Sequence, residues 1–364
     1  RELPAGVTLL AVSKTHPISA LREAYEAGQR AFGENKVQEL VAKAPQLPPD
    51  VAWHLIGHLQ TNKVRSVLPH VALIHSVDSL KLLEVIENES AKLGRVTRVL
   101  LQVHIAQEGN DLKVTVEGHW YRTILWEVPL LSIISELYYQ LMNATAWTDA
   151  QVIANTREKE LLYKELGVVF AEFGTRRRHS YHVHNIVMRT LLEGYGSTFM
   201  GSSNVHFAMK YKVKPIGTHA HEWFMFHAAE YSYKMANALS LEHWVDVYRG
   251  DLGVALSDTY TTDVFFKQFD KKFSKLFDGV RHDSGDPIVF AEKTIAHYKK
   301  MGIDPLSKYI IFSDGLNPKK VQAITEACKG KIGISFGIGT DLTNDVGLRP
   351  MNIVMKSTMI AMTI

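Results

Sequence analysis

Apolar runs at Val7–Val12, Ala52–Ile56, Val71–His75 and Val99–Ile105 are spaced by segments of helical periodicity, such as Ile18–Ala27, which Gly28 terminates. Short runs that are apolar almost throughout suit strands covered on both faces, and a helix after each makes a βα repeat. That combination predicts a parallel sheet, and the regular return favours a barrel over an open sheet. About half of an eight-stranded barrel is present before the rhythm stops around Ala106-Gln107-Glu108-Gly109.

From Asp111 to Gly118 polar and apolar residues alternate, as in a half-exposed antiparallel strand. No Pro/Ser/Gly-rich spacer marks the change, so the architecture switches inside a strand and not at an ordinary exposed linker. A helical stretch containing Trp126–Leu130 and another near Ala150–Leu166 follow, and then a second α/β succession begins. The expected class is α/β throughout, with one region over residues 1–107 and another over 108–364.

Composition narrows the function classes. The chain has 364 residues, 46% of them apolar, which is ample for two domains or one large barrel. Its 41 basic and 38 acidic side chains give a net charge of +3, and without a basic tail or charge block the chain lacks the footprint of a nucleic-acid binder. The longest apolar stretch, Ile124–Leu141, is interrupted by Glu127, Pro129, Ser132 and Glu136, so no membrane span is expected, nor does the Arg-Glu-Leu-Pro start resemble an export signal. A single cysteine, Cys328, rules out an internal disulfide framework and points either to a reducing compartment, the cytoplasm being the expectation, or to indifference to redox conditions.

Candidate chemistry sits at the ends of the predicted strands. Ala11-Val12-Ser13-Lys14-Thr15 places Lys14 just past the first strand, where a lysine is either a solvated charge or a Schiff-base former for an aldehyde cofactor. Phe173-Gly174-Thr175-Arg176-Arg177-Arg178 puts three guanidinium groups at a strand-to-helix turn, suited to carboxylate or phosphate oxygens. In Gly217-Thr218-His219-Ala220-His221-Glu222-Trp223 a histidine opens a helix, where free N–H groups and the dipole favour anions. His227 follows His221 by six residues and not four, so the two do not share a helical face as metal ligands would, and no metal held by protein side chains is expected.

Carboxylates recur at successive strand ends. They stand in Ser257-Asp258-Thr259, Arg281-His282-Asp283-Ser284-Gly285-Asp286-Pro287 and Ser313-Asp314-Gly315. One such Asp is usually a helix cap, whereas several in series can hold magnesium on a pyrophosphate or stabilise positive charge on a sugar ring. Ser335-Phe336-Gly337-Ile338-Gly339-Thr340 offers a glycine-rich late strand where backbone amides could approach a phosphate.

Two resemblances organise these motifs. Residues 5–107, through Ser13-Lys14-Thr15, Phe32-Gly33-Glu34-Asn35, Trp53–Lys63 and His75–Ser79, resemble the pyridoxal phosphate homeostasis proteins. That implies a partial (β/α) barrel binding pyridoxal phosphate, with Lys14 as the Schiff-base lysine; the family's phosphate-binding second half has no counterpart here. Residues 110–356 resemble nicotinate phosphoribosyltransferase in unbroken motif order, implying the α/β-barrel region of a type II phosphoribosyltransferase. The implied reaction, a step of NAD biosynthesis, joins nicotinate to phosphoribosyl pyrophosphate with ATP hydrolysis and Mg2+, giving nicotinate mononucleotide and pyrophosphate.

By motif, the second resemblance makes His221 the histidine phosphorylated by ATP. It assigns Thr218 and Arg281 to nicotinate, Thr340 to the phosphoribosyl substrate, and Asp283, Asp286 and Asp314 to the ribose and magnesium region. Arg176, Gly337 and Gly339 complete the expected binding set. The family's N-terminal segment, with its nicotinate-stacking tyrosine, has no match, and Ser357–Ile364 does not continue its C-terminal pattern, so region 108–364 is expected to be truncated. Three readings therefore stand: a phosphoribosyltransferase whose family expectation is a homodimer, a pyridoxal phosphate-binding module resting on Lys14, and a fusion performing neither function.

Overall fold

The computed structural model describes residues 8–101, 103–109, 111–116, 120–142, 147–194 and 198–355. Val7, Glu117, Gly118 and everything from Lys356 onward, all touched by the sequence reading, lie outside the described residues. The chain forms two compact units, Arg1–Trp126 and Glu127–Ile364.

In the first unit, strands β1 (Ala11–Val12), β2 (Ala31–Glu34), β3 (Ala52–Leu55), β4 (Val71–Val77) and β5 (Arg98–Leu101) pair in parallel and in sequence order. Helices Ile18–Glu26, Val37–Lys43 and Leu80–Lys92 alternate with them, and Ser79 caps the last by accepting the Leu82 N–H. Leu40, Leu55, Val64, Val67 and Ile74 are fully buried and form the centre of the core. The expected half-barrel order of βα units is thus present.

Two details differ from expectation. The run Val99–Ile105 is not one strand: β5 pairs with β4, while β6 (Val103–Glu108) turns into an antiparallel hairpin with β7 (Asp111–Val116). That hairpin and the turns after it belong to the first compact unit, which runs to Trp126. Strand β2, whose Gly33 and Glu34 break the apolar pattern, is buried along its whole length.

The second unit begins with helices Glu127–Leu141 and Asp149–Glu165, the latter opened by a capping box between Thr148 and Gln151. Seven parallel strands follow: β8 (Phe170–Glu172), β9 (Phe199–Ser202), β10 (Lys214–Pro215), β11 (Val254–Leu256), β12 (Gly279–His282), β13 (Tyr309–Phe312) and β14 (Gly333–Ile338). Their order is β10-β9-β8-β14-β13-β12-β11. Last and first strands therefore pair, β14 with β8, and the ring runs in sequence order with one unbonded joint between β10 and β11. This is the strand order of an α/β barrel, in which the loops after the strands share one rim.

Tyr163, Phe170, Phe277, Phe312, Phe336 and Tyr298 are almost inaccessible and fill the core with aromatic bulk. Helices His221–Tyr231 and Ala236–Tyr248 fall in the chain between β10 and β11. None of the helices among the described residues is long and apolar enough to cross a membrane.

Candidate active site

The rim of the second unit gathers four of the sequence candidates. His221 is the first residue of its helix, preceded by an extended Ala220 that supplies no side-chain cap but accepts the Trp223 N–H on its carbonyl at 3.1 Å. Its Nε2 stands 3.1 Å from Oδ1 of Asp258, two residues beyond β11, and 3.8 Å from Oδ2 of Asp283, just beyond β12. Ser284 donates to the other Asp258 oxygen at 2.5 Å.

Asp258 is ionised in this setting. Burial works to raise its carboxyl, but the hydrogen bonds from His221 and Ser284, together with the nearby Arg281 charge, outweigh burial and hold it below the ordinary carboxylate range.

Arg281, at the third position of β12, is the hub beside that pair. Its Nε donates to Ser313 Oγ at 2.7 Å, Nη1 to Thr218 Oγ1 at 2.8 Å and to the His219 carbonyl at 3.4 Å, and Nη2 to Asp283 Oδ1 at 2.7 Å. Ser313 also donates to Asp283 Oδ1 at 2.7 Å, and Ser257 donates to the Arg281 carbonyl at 2.7 Å, tying β11 to β12. Behind this layer, His219 is buried among Trp244, Phe224 and Phe277. Burial and the nearby Arg281 charge push its imidazole down to about 3, so it stays neutral.

Other candidates take different parts. Asp286 is exposed and caps helix Pro287–Lys300, its Oδ1 accepting from the N–H groups of Ile288 and Val289 at 2.8 and 3.0 Å. The helix-cap alternative therefore describes it, and the structure does not draw it into the His221 cluster. Asp314 is exposed at the end of β13, close enough to Arg177 and His282 for their charges to interact.

At Gly337, packing by itself requires a glycine. Gly337 is buried, and a Cβ there would stand 2.6 Å from the Phe173 ring, so the missing side chain makes room for Phe173. Gly339 precedes Thr340, which begins a single turn, Thr340–Thr343; a Cβ on Gly339 would meet the Phe173 carbonyl at 3.3 Å.

The three arginines of the β8 turn each have protein partners. Arg176 faces Glu127 at 3.5 Å, Arg177 donates from Nε to the Ile353 carbonyl at 3.1 Å, and Arg178 pairs with Glu136 at 3.4 Å. Under the turn lies a feature that spacing could not reveal: Glu172, fully buried at the end of β8, accepts from Gly174 N–H and from Ser202 Oγ at 2.5 Å and faces His184 Nε2 at 3.1 Å. Burial acts to raise its carboxyl, yet the His184 charge and these hydrogen bonds lower it below the usual range.

In the first unit, Lys14 is exposed. The lysine that enters the polar cluster at the strand ends is Lys43, 2.8 Å from the fully buried Glu34, which also accepts from Ser13 Oγ at 2.7 Å. Lys43 comes from a helix, not a strand end, which is why strand-end spacing pointed elsewhere.

Asp258 and Ser284 are the site residues that sequence reasoning passed over. Asp258 was visible as one of the strand-end carboxylates, but nothing local singled it out as the partner of a histidine 37 positions away. Among the described residues, no group of three or more His, Cys, Asp or Glu side chains is arranged to hold a metal ion.

An α/β barrel with a histidine–carboxylate pair and a multiply bonded arginine at its strand-end rim has the architecture in which loops after the strands build a site. More particularly, the chain belongs to the nicotinate phosphoribosyltransferase (NAPRTase) family, whose sequence pattern matches residues 168–364. It is 60% identical over 257 residues to the nicotinate phosphoribosyltransferase of Chromohalobacter salexigens, covering 71% of this chain and 66% of that protein. The enzyme of Desulforapulum autotrophicum is 48% identical over 255 residues, covering 70% and 66%. The chain thus spans about two thirds of the length of these relatives.

Among solved structures, the nicotinate phosphoribosyltransferase of Porphyromonas gingivalis superposes with a TM-score of 0.69 at 38% identity, over 93% of this chain and 78% of that one. The enzyme of Vibrio cholerae gives 0.65 at 37% identity, over 70% and 64%.

Proposed function

We propose that this chain transfers the phosphoribosyl group of phosphoribosyl pyrophosphate to nicotinate, coupled to ATP hydrolysis through His221. The observation that carries this reading is the His221–Asp258 pair at a helix N-terminus, set beside Arg281 and Asp283 on one barrel rim.

With Nε2 held by Asp258, the ring presents Nδ1 as the nucleophile toward the γ-phosphorus of ATP; the N–P bond forms as the bond to the departing ADP oxygen breaks. A phosphoryl group there would lie at the positive end of helix His221–Tyr231. In the transfer step the pyridine nitrogen of nicotinate bonds to C1 of the ribose as the C1–O bond to pyrophosphate breaks, and positive charge builds on the sugar. In this reading Asp283 stabilises that charge and the Arg281 guanidinium holds the nicotinate carboxylate. Asp314, exposed beyond β13, would help to hold magnesium, which would supply positive charge to the pyrophosphate leaving group.

Pyridoxal phosphate on Lys14 draws no support from the geometry, because Lys14 is exposed and the nearby polar cluster is closed on Lys43 and Glu34. The test of the main reading is formation of nicotinate mononucleotide by the purified chain given nicotinate, phosphoribosyl pyrophosphate, magnesium and ATP. Product from the parent chain, with ATP stimulation lost in His221→Ala, is the expected result. Folded parent protein that makes no product overturns the reading.

A further inference from the structure

Arg281 has almost no free hydrogen-bonding capacity in this state of the protein. Of the five N–H groups of a guanidinium, Nε and both hydrogens of Nη1 are directed at Ser313, Thr218 and the His219 carbonyl, and Nη2 is engaged by Asp283 at 2.7 Å. A ligand carboxylate gripped at two points needs Nη2 together with a neighbouring nitrogen. Asp283, itself a carboxylate, stands in that position, and the Ser313 hydroxyl holds it there by donating to the same oxygen at 2.7 Å. The pair is shielded from solvent, with side-chain exposures of 17% for Arg281 and 19% for Asp283, so two carboxylates cannot share Nη2 without paying for unscreened repulsion.

The far oxygen of Asp283 already points toward His221, at 3.8 Å. A small rotation away from Arg281 would therefore bring Asp283 to the histidine.

We propose that Asp283 is an internal stand-in for the substrate carboxylate in the Arg281 fork, and that nicotinate binds by displacing it, handing Asp283 over to the His221 side of the site. The proposal rests on the phosphoribosyltransferase reading and adds a selection rule to it. An anionic pyridine competes with Asp283 for Arg281, whereas a neutral carboxamide of the same shape leaves the Arg281–Asp283 pair in place. Removing the competing carboxylate therefore strengthens binding of the acid and not of the amide. No covalent step is involved; one ion pair is exchanged for another, and Asp283 keeps its charge.

The test uses the full chain and two probes, nicotinate and nicotinamide, with binding measured by calorimetry. Because Asp283 opposes the anion, Asp283→Asn is expected to tighten nicotinate by about tenfold while leaving nicotinamide within about twofold. A structure of the parent chain with nicotinate should show the ligand carboxylate on Nη2 and Asp283 moved off it. Unchanged or weaker nicotinate binding by folded Asp283→Asn, or nicotinate seated with Asp283 still on Nη2, overturns the exchange. Product formation by the parent chain is scored separately, so the exchange can fail while the enzymatic reading stands. If both proteins bind neither probe, the exchange fails together with Arg281 as the anchor.

Discussion

Replacing His219 by glutamine should flatten part of the acid sensitivity of the second unit. His219 is 1% exposed, its ring edge-on to Trp244 with centroids 4.1 Å apart, and its Nδ1 lies 3.5 Å from the Leu256 N–H. In the folded protein its imidazole is pushed from 6.5 down to about 3, first by burial and then by Arg281. In the unfolded chain it returns to about 6.5.

Between those values the unfolded state carries a proton that the folded state refuses. The stability contributed by neutral His219 is therefore fully present above pH 6.5 and is lost as the pH falls toward 3. Each pH unit in that window costs about 1.4 kcal/mol, so roughly 2 kcal/mol is gone by pH 5. Burial of the group leaves little solvent screening to discount. Other histidines with lowered values, such as His227, His282 and His297, add their own slopes, so the quantity to follow is the difference between parent and variant. Urea unfolding followed by tryptophan fluorescence at pH 7.5, 6 and 5 reads it directly. Glutamine will be the less stable at pH 7.5 and should recover about 2 kcal/mol relative to the parent by pH 5. A parent–variant difference that does not change with pH refutes the buried neutral histidine.

Two further outcomes test packing and the buried charges. Gly337→Ala drives a methyl group against Phe173, 2.6 Å away, and should cost about 1–3 kcal/mol in urea unfolding; a neutral result would mean that Phe173 is free to move. Lys43→Met leaves Glu34 buried and without its cation, with an expected loss of about 3–5 kcal/mol, whereas Lys14→Ala on the exposed surface should stay within about 0.5 kcal/mol. Equal effects of the two lysine changes would remove the distinction drawn between them.

The local pattern of the chain determined a good deal. The alternation of apolar runs with helical segments is set by backbone geometry within a dozen residues, so parallel βα units were legible in both halves, as were His221 at a helix start and carboxylates after β11, β12 and β13. Because parallel strands deliver their following loops to one rim, it also follows from sequence that these residues share a neighbourhood.

Which of them touch was decided by the tertiary structure. Asp258, Asp283, Asp286 and Asp314 look alike in sequence, yet Asp258 meets His221, Asp283 meets Arg281, Asp286 caps a helix and Asp314 is exposed. Their roles differ through strand register and the direction each loop takes, which depend on partners tens of residues away. Gly337 shows the same limit, since only packing reveals that the space it leaves belongs to Phe173. The apolar run Val99–Ile105 was broken because its two halves found different partners, one parallel and one antiparallel. Hydrophobic period is a property of neighbours along the chain, while pairing, burial and the ionisation of a buried group are properties of neighbours in space.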